Sequence, residues 1–525
     1  MPGFTPEQLR KRSKAAWQRK EPWRNIYDEA YEYALPQRNL YDGSWESGVK
    51  GQSKGLRVFD STAIHSTVRF ANRLQSGLFP PDKKWMDLQP GTDIPEENKN
   101  EVRQALQLFT DKFFALIRQT NFDLGMGEFL LDLCVGTAAM MVQKGDDQQK
   151  IKFTAVPSFL IAFEEGPNGN AQNVYRKMKM PVENIKRTWP DAVLSQDLED
   201  LLKEKPTDEV NLKEATIFDV ADQKWYYYIW RQVTDTQSEN IVDRQIKRSP
   251  WIISRFTKIA GEVLGRGPLI SALPDIKTLN KAIELLLKNA SINIAGVYTA
   301  IDDGVLNPQT IRIVPGAIIP VARNGGPQGP SLQPLPRSGD LQLSQLVIND
   351  LRLQIKKTLL DDSLPPDNMS ARSATEIVER MRDLATNLGS AFGRLITETM
   401  VPLVRLVLEE MGDQGIIDLP LRIDGLEVQI IPVSPLAQAQ NLDEVQNVLQ
   451  WVSVAQQLGP VGQATANMEA ISDWVADQLG VPISLRTTPA DRTDAVELGR
   501  QFLEAQSTAQ AAPVDPGAPP PGAPA

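Results

Sequence analysis

The chain has 525 residues, and its length suggests about three to five structural units. With 56 basic and 66 acidic residues, its net charge of −10 argues against a free-standing nucleic-acid binder, because such proteins are usually basic. A protein that lets nucleic acid slide past without gripping it is still compatible with this charge. One Cys and one His exclude an intrachain disulfide and the usual zinc sites, but not a metal site built from carboxylates.

The single cysteine and the single histidine are both expected to be structural. Cys134 lies in the apolar run Leu130–Val135, where a buried and inert thiol is the expected state. His65 is the only residue that could serve in a His-based triad, but a packed or hydrogen-bonded histidine is the more common case. This usage fits a reducing compartment, or a particle assembled in one.

No targeting or membrane-spanning segment is expected. The first twenty residues are basic and lack the apolar core of a secretory signal. No apolar run approaches the roughly 18 residues of a membrane span. The basic segment 10–24 could touch a membrane or nucleic acid, so a membrane-associated scaffold is kept as one alternative function. A solvated helix face is the simpler interpretation.

The first half of the chain predicts an α+β region. Cap residues and apolar spacing predict helices at 5–35, 61–78, 96–120, 123–142 and 181–205. Runs of β-branched and aromatic residues predict strands at 151–154, 159–163, 174–180, 216–220, 225–233 and 251–256.

The second half is mainly helical. Apolar spacing predicts helices at 268–295, 339–360, 373–411, 436–459, 463–480 and 489–506, with a strand at 426–431. A compact segment with short β-strands is predicted at 299–337, between the first two helices. Pro402 predicts a kink near Glu398 in the long helix, because proline removes an internal hydrogen bond. The fold class is therefore α+β, mainly α-helical, with a disordered Pro/Ala/Gly tail at 507–525.

Enzyme signatures are mostly absent, so no catalytic residue, metal or cofactor is predicted. The Gly- and Lys-rich segment 48–55 has the wrong spacing for a phosphate loop and is expected to be a surface loop. The carboxylate pairs Asp302-Asp303, Asp361-Asp362 and Glu409-Glu410 could hold a divalent ion, but no spacing unites them. A metal-dependent nuclease acting on DNA is therefore kept only as an alternative.

Basic residues recur at helical spacing on two helices. Lys277 and Lys281 lie on the helix 268–295, and Arg352, Lys356 and Lys357 lie on the helix 339–360. Solvated faces are one interpretation. Weak contact with a polyanion is the other.

Several short segments, taken together with the order of elements, are more distinctive than any single motif. They are Phe59-Asp60-Ser61-Thr62-Ala63, Leu74-Gln75-Ser76-Gly77-Leu78-Phe79-Pro80, Trp85-Met86, Gly261-Glu262 with Gly265-Arg266-Gly267, Ser373-Ala374-Thr375-Glu376-Ile377 and Pro402-Leu403-Val404-Arg405. Over roughly residues 10–480 the chain resembles the head-to-tail connector, or portal, proteins of short-tailed bacteriophages (podoviruses). The match depends on the number and order of these segments.

The resemblance implies a ring, usually of twelve copies, around a channel for double-stranded DNA at one capsid vertex. Terminase would dock on the ring during genome packaging, and tail or adaptor proteins would replace it before genome ejection. Major capsid, scaffolding and internal core proteins are further implied partners, and no small-molecule substrate is. The implied location is the virion, after assembly in the host cytoplasm.

The resemblance also implies regions and site residues. The regions are a wing (1–265 and 374–435), two stem helices (266–296 and 338–360), a clip (297–337), a tunnel loop (361–373), a crown (436–506) and the tail (507–525). The DNA-channel candidates are Lys356, Lys357, Arg352, Arg372, Lys277 and Lys281. The tunnel-loop residues are Asp361, Pro365, Pro366 and Asn368, and Pro402 is the helix kink.

Overall fold

The structure, a computed structural model, divides into two compact units, Met1–Gln440 and Asn441–Ala525. This is fewer than the length suggests. The described residues are 4–38, 58–91, 96–146, 148–234, 237–295, 298–300, 332–334, 341–361, 384, 386–417, 428–457 and 467–478. The predicted helix 489–506, the tail 507–525 and the loop 48–55 lie outside them.

Helices supply most of the regular structure in these residues. They are α1 (Pro6–Lys20), α2 (Arg24–Ala34), α3 (Thr62–Leu78), α4 (Glu96–Ile117), α5 (Phe122–Val135), α6 (Glu183–Thr188), α7 (Gln196–Glu204), α8 (Pro268–Ala295), α9 (Leu341–Thr358), α10 (Ser390–Leu395), α11 (Val401–Asp413), α12 (Pro435–Gln457) and α13 (Met468–Gln478). A π-helical turn, Ile396–Met400, joins α10 to α11.

The strands are all paired antiparallel. They are β1 (Met86–Pro90), β2 (Thr137–Lys144), β3 (Ile151–Val156), β4 (Ile161–Glu165), β5 (Ala171–Pro181), β6 (Glu209–Asp219), β7 (Lys224–Gln232), β8 (Ser238–Ile246), β9 (Trp251–Arg255), β10 (Tyr298–Ala300), β11 (Leu332–Pro334) and β12 (Val428–Pro432). A five-stranded sheet has the order β4-β5-β6-β7-β8, and a three-stranded sheet has the order β3-β2-β9. Strands β1 and β12 form one two-stranded sheet, and β10 and β11 form another. The predicted mixture of helix and sheet is thus confirmed.

One hydrophobic core joins the helices to the three-stranded sheet, and α1 covers the larger sheet. Leu9 and Ala16 of α1 pack against Tyr175, Tyr228 and Trp230 of the five-stranded sheet. The side chains of Arg12 and Lys20 are also used inside the fold: Arg12 pairs with Glu164 at 3.0 Å and Lys20 is buried. The basic segment 10–24 is therefore only partly a solvent-exposed helix face.

Gly136 ends α5 and lets two backbone segments touch. It has a φ of 157°, and a β-carbon on it would lie 2.2 Å from the Gly265 carbonyl oxygen. The Gly267 amide donates to the Val135 carbonyl at 2.9 Å. Because only glycine permits so close an approach, the chain turns here and continues as β2. The predicted helix 123–142 is therefore wrong beyond Val135.

Two other sequence expectations also need correction. The helix predicted at 181–205 is two short helices, α6 and α7, because Pro190 follows the first and prevents its continuation. Strand β8 was not predicted, because its residues, SENIVDRQI, are mostly polar. It lies at the edge of its sheet, where one side of the strand needs little burial.

Candidate functional site

The basic residues singled out in the sequence lie on a pair of helices, α8 and α9, that pack together. The apolar spacing that predicted these two helices is confirmed, since Leu279 and Ile283 of α8 and Ile348 and Ile355 of α9 are buried. We call α8 and α9 the helix pair. Strands β10 and β11 continue it, with Tyr298 opposite Pro334, so the intervening segment begins and ends at an antiparallel strand pair. Most of the predicted clip, 297–337, lies outside the described residues.

The chain just before α3 binds both members of the helix pair. The Phe59 amide donates to Asn280 Oδ1 of α8 at 2.7 Å. Arg352 of α9 donates through Nε and Nη2 to Asp60 Oδ2, at 3.1 and 2.8 Å. Asp60 Oδ1 also accepts from the Thr62 amide at 2.8 Å, so this carboxylate binds the first turn of α3 and anchors α9 as well.

The electrostatics of Asp60 favour its charged form. Burial raises the pKa of this carboxyl, but hydrogen bonds from Thr62 and Arg352 outweigh it, and the pKa lies below its ordinary value. Arg352 is therefore engaged with a carboxylate, which reduces its availability for a phosphate. Its role as a DNA-channel residue stays a prediction.

The other predicted channel lysines differ in their partners. Lys277 pairs with Glu29 at 3.1 Å, and Lys281 pairs with Glu284 at 2.9 Å. In the described part of the chain, Lys356 and Lys357 make no ion pair, and Lys357 is exposed. These two ammonium groups at the end of α9 are thus the candidates most available to an anion. Arg372 lies outside the described residues.

Asp361 lies three residues after the end of α9, and its side chain binds α3. Its side chain is only 1% exposed. Oδ2 accepts from Ser66 Oγ at 2.8 Å, and the carboxylate pairs with Arg69 at 3.4 Å and Arg73 at 3.9 Å. The composition of the pair Asp361-Asp362 is typical of a solvated acidic loop, but Asp361 is buried and two guanidinium groups balance its charge. The other predicted tunnel-loop residues, Pro365, Pro366 and Asn368, lie outside the described residues.

The long helix leaves α-helical geometry in the turn before Pro402. The π-helical turn Ile396–Met400 ends there, and Pro402 lies in the first turn of α11. Gly389, with a φ of 47°, also interrupts the helix predicted at 373–411. The π turn holds Glu398, whose carboxylate binds the buried Arg255 of β9. The bend itself at Pro402 stays a prediction.

Leucines lie on the outward faces of the helix pair. Leu285 of α8 is 55% exposed, and Leu346 and Leu353 of α9 are 68% and 64% exposed. Leu346 and Leu353 are seven residues apart and so lie on one face, opposite the buried Ile348 and Ile355. The exposed polar residues Asn349 and Asp350 lie between these two leucines on the same face. Exposed leucines that recur at helical spacing make this face a candidate interaction surface.

The described residues give no support to the enzyme alternatives. They contain no cluster of three or more His, Cys, Asp or Glu residues that could hold a metal ion. Glu409 and Glu410 both pair with Arg248, at 3.1 Å, and Asp302, Asp303 and Asp362 lie outside the described part. Nor does any helix in this part have the length and apolar character to cross a membrane.

The burial predicted for Cys134 is confirmed. Of the two structural states predicted for His65, packed or hydrogen-bonded, the packed state is not observed. Cys134 is fully buried, and burial raises the pKa of its thiol to about 12. His65 lies exposed on α3 instead of being packed, because its helical position faces away from the core side marked by Ser66 and Phe70.

Sequence reasoning missed the residues that hold the helix pair. Ser66, Arg69 and Arg73 had no role in the sequence-based scheme, and Asp60 was not recognised as a partner of Arg352. The signal available for Asp60 was its place in the segment Phe59–Ala63 that carries the resemblance. For the arginines no local signal existed, since their partner lies almost 300 residues away.

Comparisons with known proteins define the class. A family model described as bacteriophage head to tail connecting protein matches residues 6–486, so the class is a phage structural protein. The chain belongs to the bacteriophage head to tail connecting protein family. The resemblance found in the sequence is thereby confirmed, and the chain is a head-tail connector of the virion.

Individual relatives are distant. A probable portal protein of Bordetella phage BPP-1 is 22% identical over 520 residues, which cover 94% of this chain and 90% of that protein. The portal protein of Escherichia phage T7 is 22% identical over 239 residues, 45% of this chain and 43% of the relative. Among solved structures, a chain of the native gene transfer agent virion has a TM-score of 0.34 and 12% identity, covering 80% of this chain and 90% of that one.

Proposed function

We propose that copies of this chain form a ring, of twelve subunits as is usual in the family, around a channel for double-stranded DNA at one capsid vertex. Terminase docks on the ring for genome packaging, tail or adaptor proteins later take its place, and the genome leaves by the same route. Assembly takes place in the host cytoplasm with major capsid and scaffolding proteins, and internal core proteins meet the ring on the capsid side.

The observation that carries the proposal is the row of exposed leucines on the helix pair. Each helix buries one face against its own subunit and leaves Leu285, Leu346 and Leu353 in solvent. Burying a leucine side chain is worth roughly 1.5–3 kcal/mol, so a partner that covers this face gains substantially. The occupant we propose is a second copy, because the two outward faces lie on different helices of one pair.

This arrangement favours a closed ring over a dimer. The outward face of α8 and that of α9 are different surfaces, so a contact between them joins unlike patches on successive copies. Contacts of this kind generate rings when the rotation closes. The helix pair then becomes the stem, and the segment between β10 and β11 becomes the clip, which presents its outer loop to terminase and tail proteins.

The charge of the chain suits this role. DNA carries one negative charge per roughly 1.7 Å of its axis, so a strongly basic channel would hold it tightly. A subunit with a net charge of −10 repels DNA mildly, and a few cations then supply sparse contacts. Lys356 and Lys357 are the strongest candidates for these contacts, because the described residues leave their ammonium groups without an ion pair.

The leucine face provides the test. The double variant Leu346→Glu/Leu353→Glu places two charges on the proposed contact, and we expect it to remain folded but to lose the oligomer. The matched control is Gln345→Glu, which adds a charge at an exposed polar position on the same helix. Native mass spectrometry measures the subunit number, and circular dichroism checks the fold.

Loss of the oligomer in the double variant only, with an unchanged spectrum, supports the proposal. An oligomer of unchanged size in the double variant would refute the proposed use of this face.

A further inference from the structure

The end of α9 adopts a conformation that leucine rarely takes. Leu360 has a φ of 56°, in the left-handed region. Its amide donates to the Lys357 carbonyl at 3.0 Å, and the Asp361 amide donates to the Lys356 carbonyl at 2.7 Å. This pair of bonds is the usual left-handed helix ending, in which glycine is the common residue. This conformation is sterically strained for leucine, so it is stable only where contacts with the surrounding residues stabilise it.

Helix α3 provides those surroundings. Arg73 donates to the Leu360 carbonyl oxygen, and the buried Asp361 carboxylate accepts from Ser66 and Arg69. The three α3 residues are spaced by three and four positions, which places them on one face of the helix. The left-handed peptide and the acid after it are therefore both fixed from the same side.

We infer that Asp361 is a positioning residue: with Ser66, Arg69 and Arg73 it forms a clasp that fixes the direction in which the chain leaves α9. The functional importance of this clasp rests on the proposed function, in which the residues after Asp361 begin the tunnel loop. The clasp itself is a property of the described residues and needs neither DNA nor a ring.

The contacts indicate that the clasp is releasable. The Ser66 bond is short and buried, whereas Arg69 approaches at 3.4 Å with a side chain that is 58% exposed. Dissolved ions reach an exposed guanidinium and screen its charge. The charged half of the clasp is thus sensitive to salt, and the Ser66 half is not.

Hydrogen exchange at the end of α9 tests the clasp in the purified full-length protein. Asp361→Asn keeps the shape of the side chain and removes its charge. We expect the amides of Leu360 and Asp361 to exchange about tenfold faster or more, since bonds to charged groups are among the strongest hydrogen bonds in proteins. The amide of Ile348, in the middle of α9, should be unaffected. The matched control is Asp350→Asn, an exposed acid on the same helix.

A second set of measurements separates a clasp from a general structural role. Arg69→Gln and Asp361→Asn should have non-additive effects on exchange, because each removes the same contact. Raising the salt concentration from about 0.05 M to about 1 M should speed exchange in the wild type but not in Asp361→Asn. Asp361→Glu, which keeps the charge, should recover part of the protection.

Unchanged exchange in Asp361→Asn, or strictly additive effects of the two substitutions, would overturn the inference. If Asp361→Asn does not fold, Arg69→Gln alone decides the matter, since it changes an exposed side chain. Negative-stain images are scored separately. If the wild-type protein forms no rings but its Leu360 and Asp361 amides are protected, the proposed function is contradicted and the clasp is not. If Asp361→Asn forms rings but its Leu360 and Asp361 amides exchange rapidly, the clasp is supported.

Discussion

Arg255 and Glu398 form an ion pair, reinforced by a backbone hydrogen bond, between the end of β9 and the π-helical turn. Arg255 Nη2 donates to Oε1 of Glu398 at 2.7 Å, and the Arg255 backbone amide donates to Oε2 at 2.9 Å. The Arg255 side chain is 1% exposed and also pairs with Glu165. Because both the side chain and the backbone of Arg255 are held, this pair fixes the π turn against the sheet just before Pro402.

Glu398→Gln is expected to destabilise the protein by about 2 kcal/mol, because the amide replaces a charged acceptor of a buried guanidinium. Glu398→Ala should cost more, since it leaves that guanidinium with fewer partners. Denaturant midpoints, compared at equal protein concentration, measure both effects. Glu284→Gln is the control, because its partners Lys281 and Lys288 lie on the surface of the same helix. Equal losses of stability in Glu398→Gln and in Glu284→Gln would contradict a stabilising role for the Arg255–Glu398 pair.

Lys20 makes the stability depend on pH. Burial, with Lys177 nearby, lowers the pKa of Lys20 to about 7, whereas an unfolded lysine titrates near 10.4. Between about pH 7 and pH 10 the unfolded chain therefore binds more protons at this site, and the contribution of Lys20 becomes more favourable as pH rises.

The variant Lys20→Met removes this titration. We expect the stability difference between wild type and variant to shift toward the wild type as pH rises from about 7 to about 10, and to be flat below about 7. Denaturation curves at several pH values measure it. Lys14→Met, at an exposed position on the same helix, should show no such trend. A pH-independent difference for Lys20→Met would rule out the buried titration.

Cys134 should be unreactive in the folded protein. Burial raises the pKa of its thiol to about 12, and only an accessible thiolate attacks a disulfide reagent. A chromogenic disulfide reagent at pH 8 is expected to label no thiol in native protein and one thiol per chain after denaturation. Rapid labelling of the native protein would contradict the buried position.

Lys356→Glu/Lys357→Glu tests the proposed contact with DNA. Lys356 and Lys357 have no ion pair among the described residues, so charge reversal there should repel phosphates and lower the packaged DNA several-fold, whereas rings should still assemble. Packaged genome is measured per particle by quantitative PCR after nuclease treatment. The control, Lys203→Glu/Lys205→Glu, reverses two exposed charges at α7. Normal packaging in Lys356→Glu/Lys357→Glu would contradict the proposed contact of these lysines with DNA.

The sequence predicts the parts of the fold that local pattern determines. The stripes through Leu279 and Ile283 and through Ile348 and Ile355 mark α8 and α9 correctly, since a helix of three or more turns repeats its buried face. Strand β8 could not be predicted from an apolar pattern, because an edge strand tolerates polar residues at most positions.

Long-range contacts account for what sequence patterns could not show. The end of α5 depends on the approach of Gly136 to Gly265, which are distant in the chain. Asp361 looks like a loop acid by composition, yet it is buried because Ser66 and Arg69, almost 300 residues earlier, lie beside it. The sequence therefore predicted the helices α8 and α9 that carry the basic residues, but not the residues that anchor these helices. The role of the basic residues in a DNA channel stays a prediction.

Negative-stain microscopy of the purified full-length protein tests the central proposal most directly. If the leucine faces of α8 and α9 join successive copies, the images will show closed rings with a central hole and one constant subunit number. Leu346→Glu/Leu353→Glu should abolish these rings, whereas Gln345→Glu should keep them. A chain that stays monomeric at high concentration, with no rings in the images, would contradict the account.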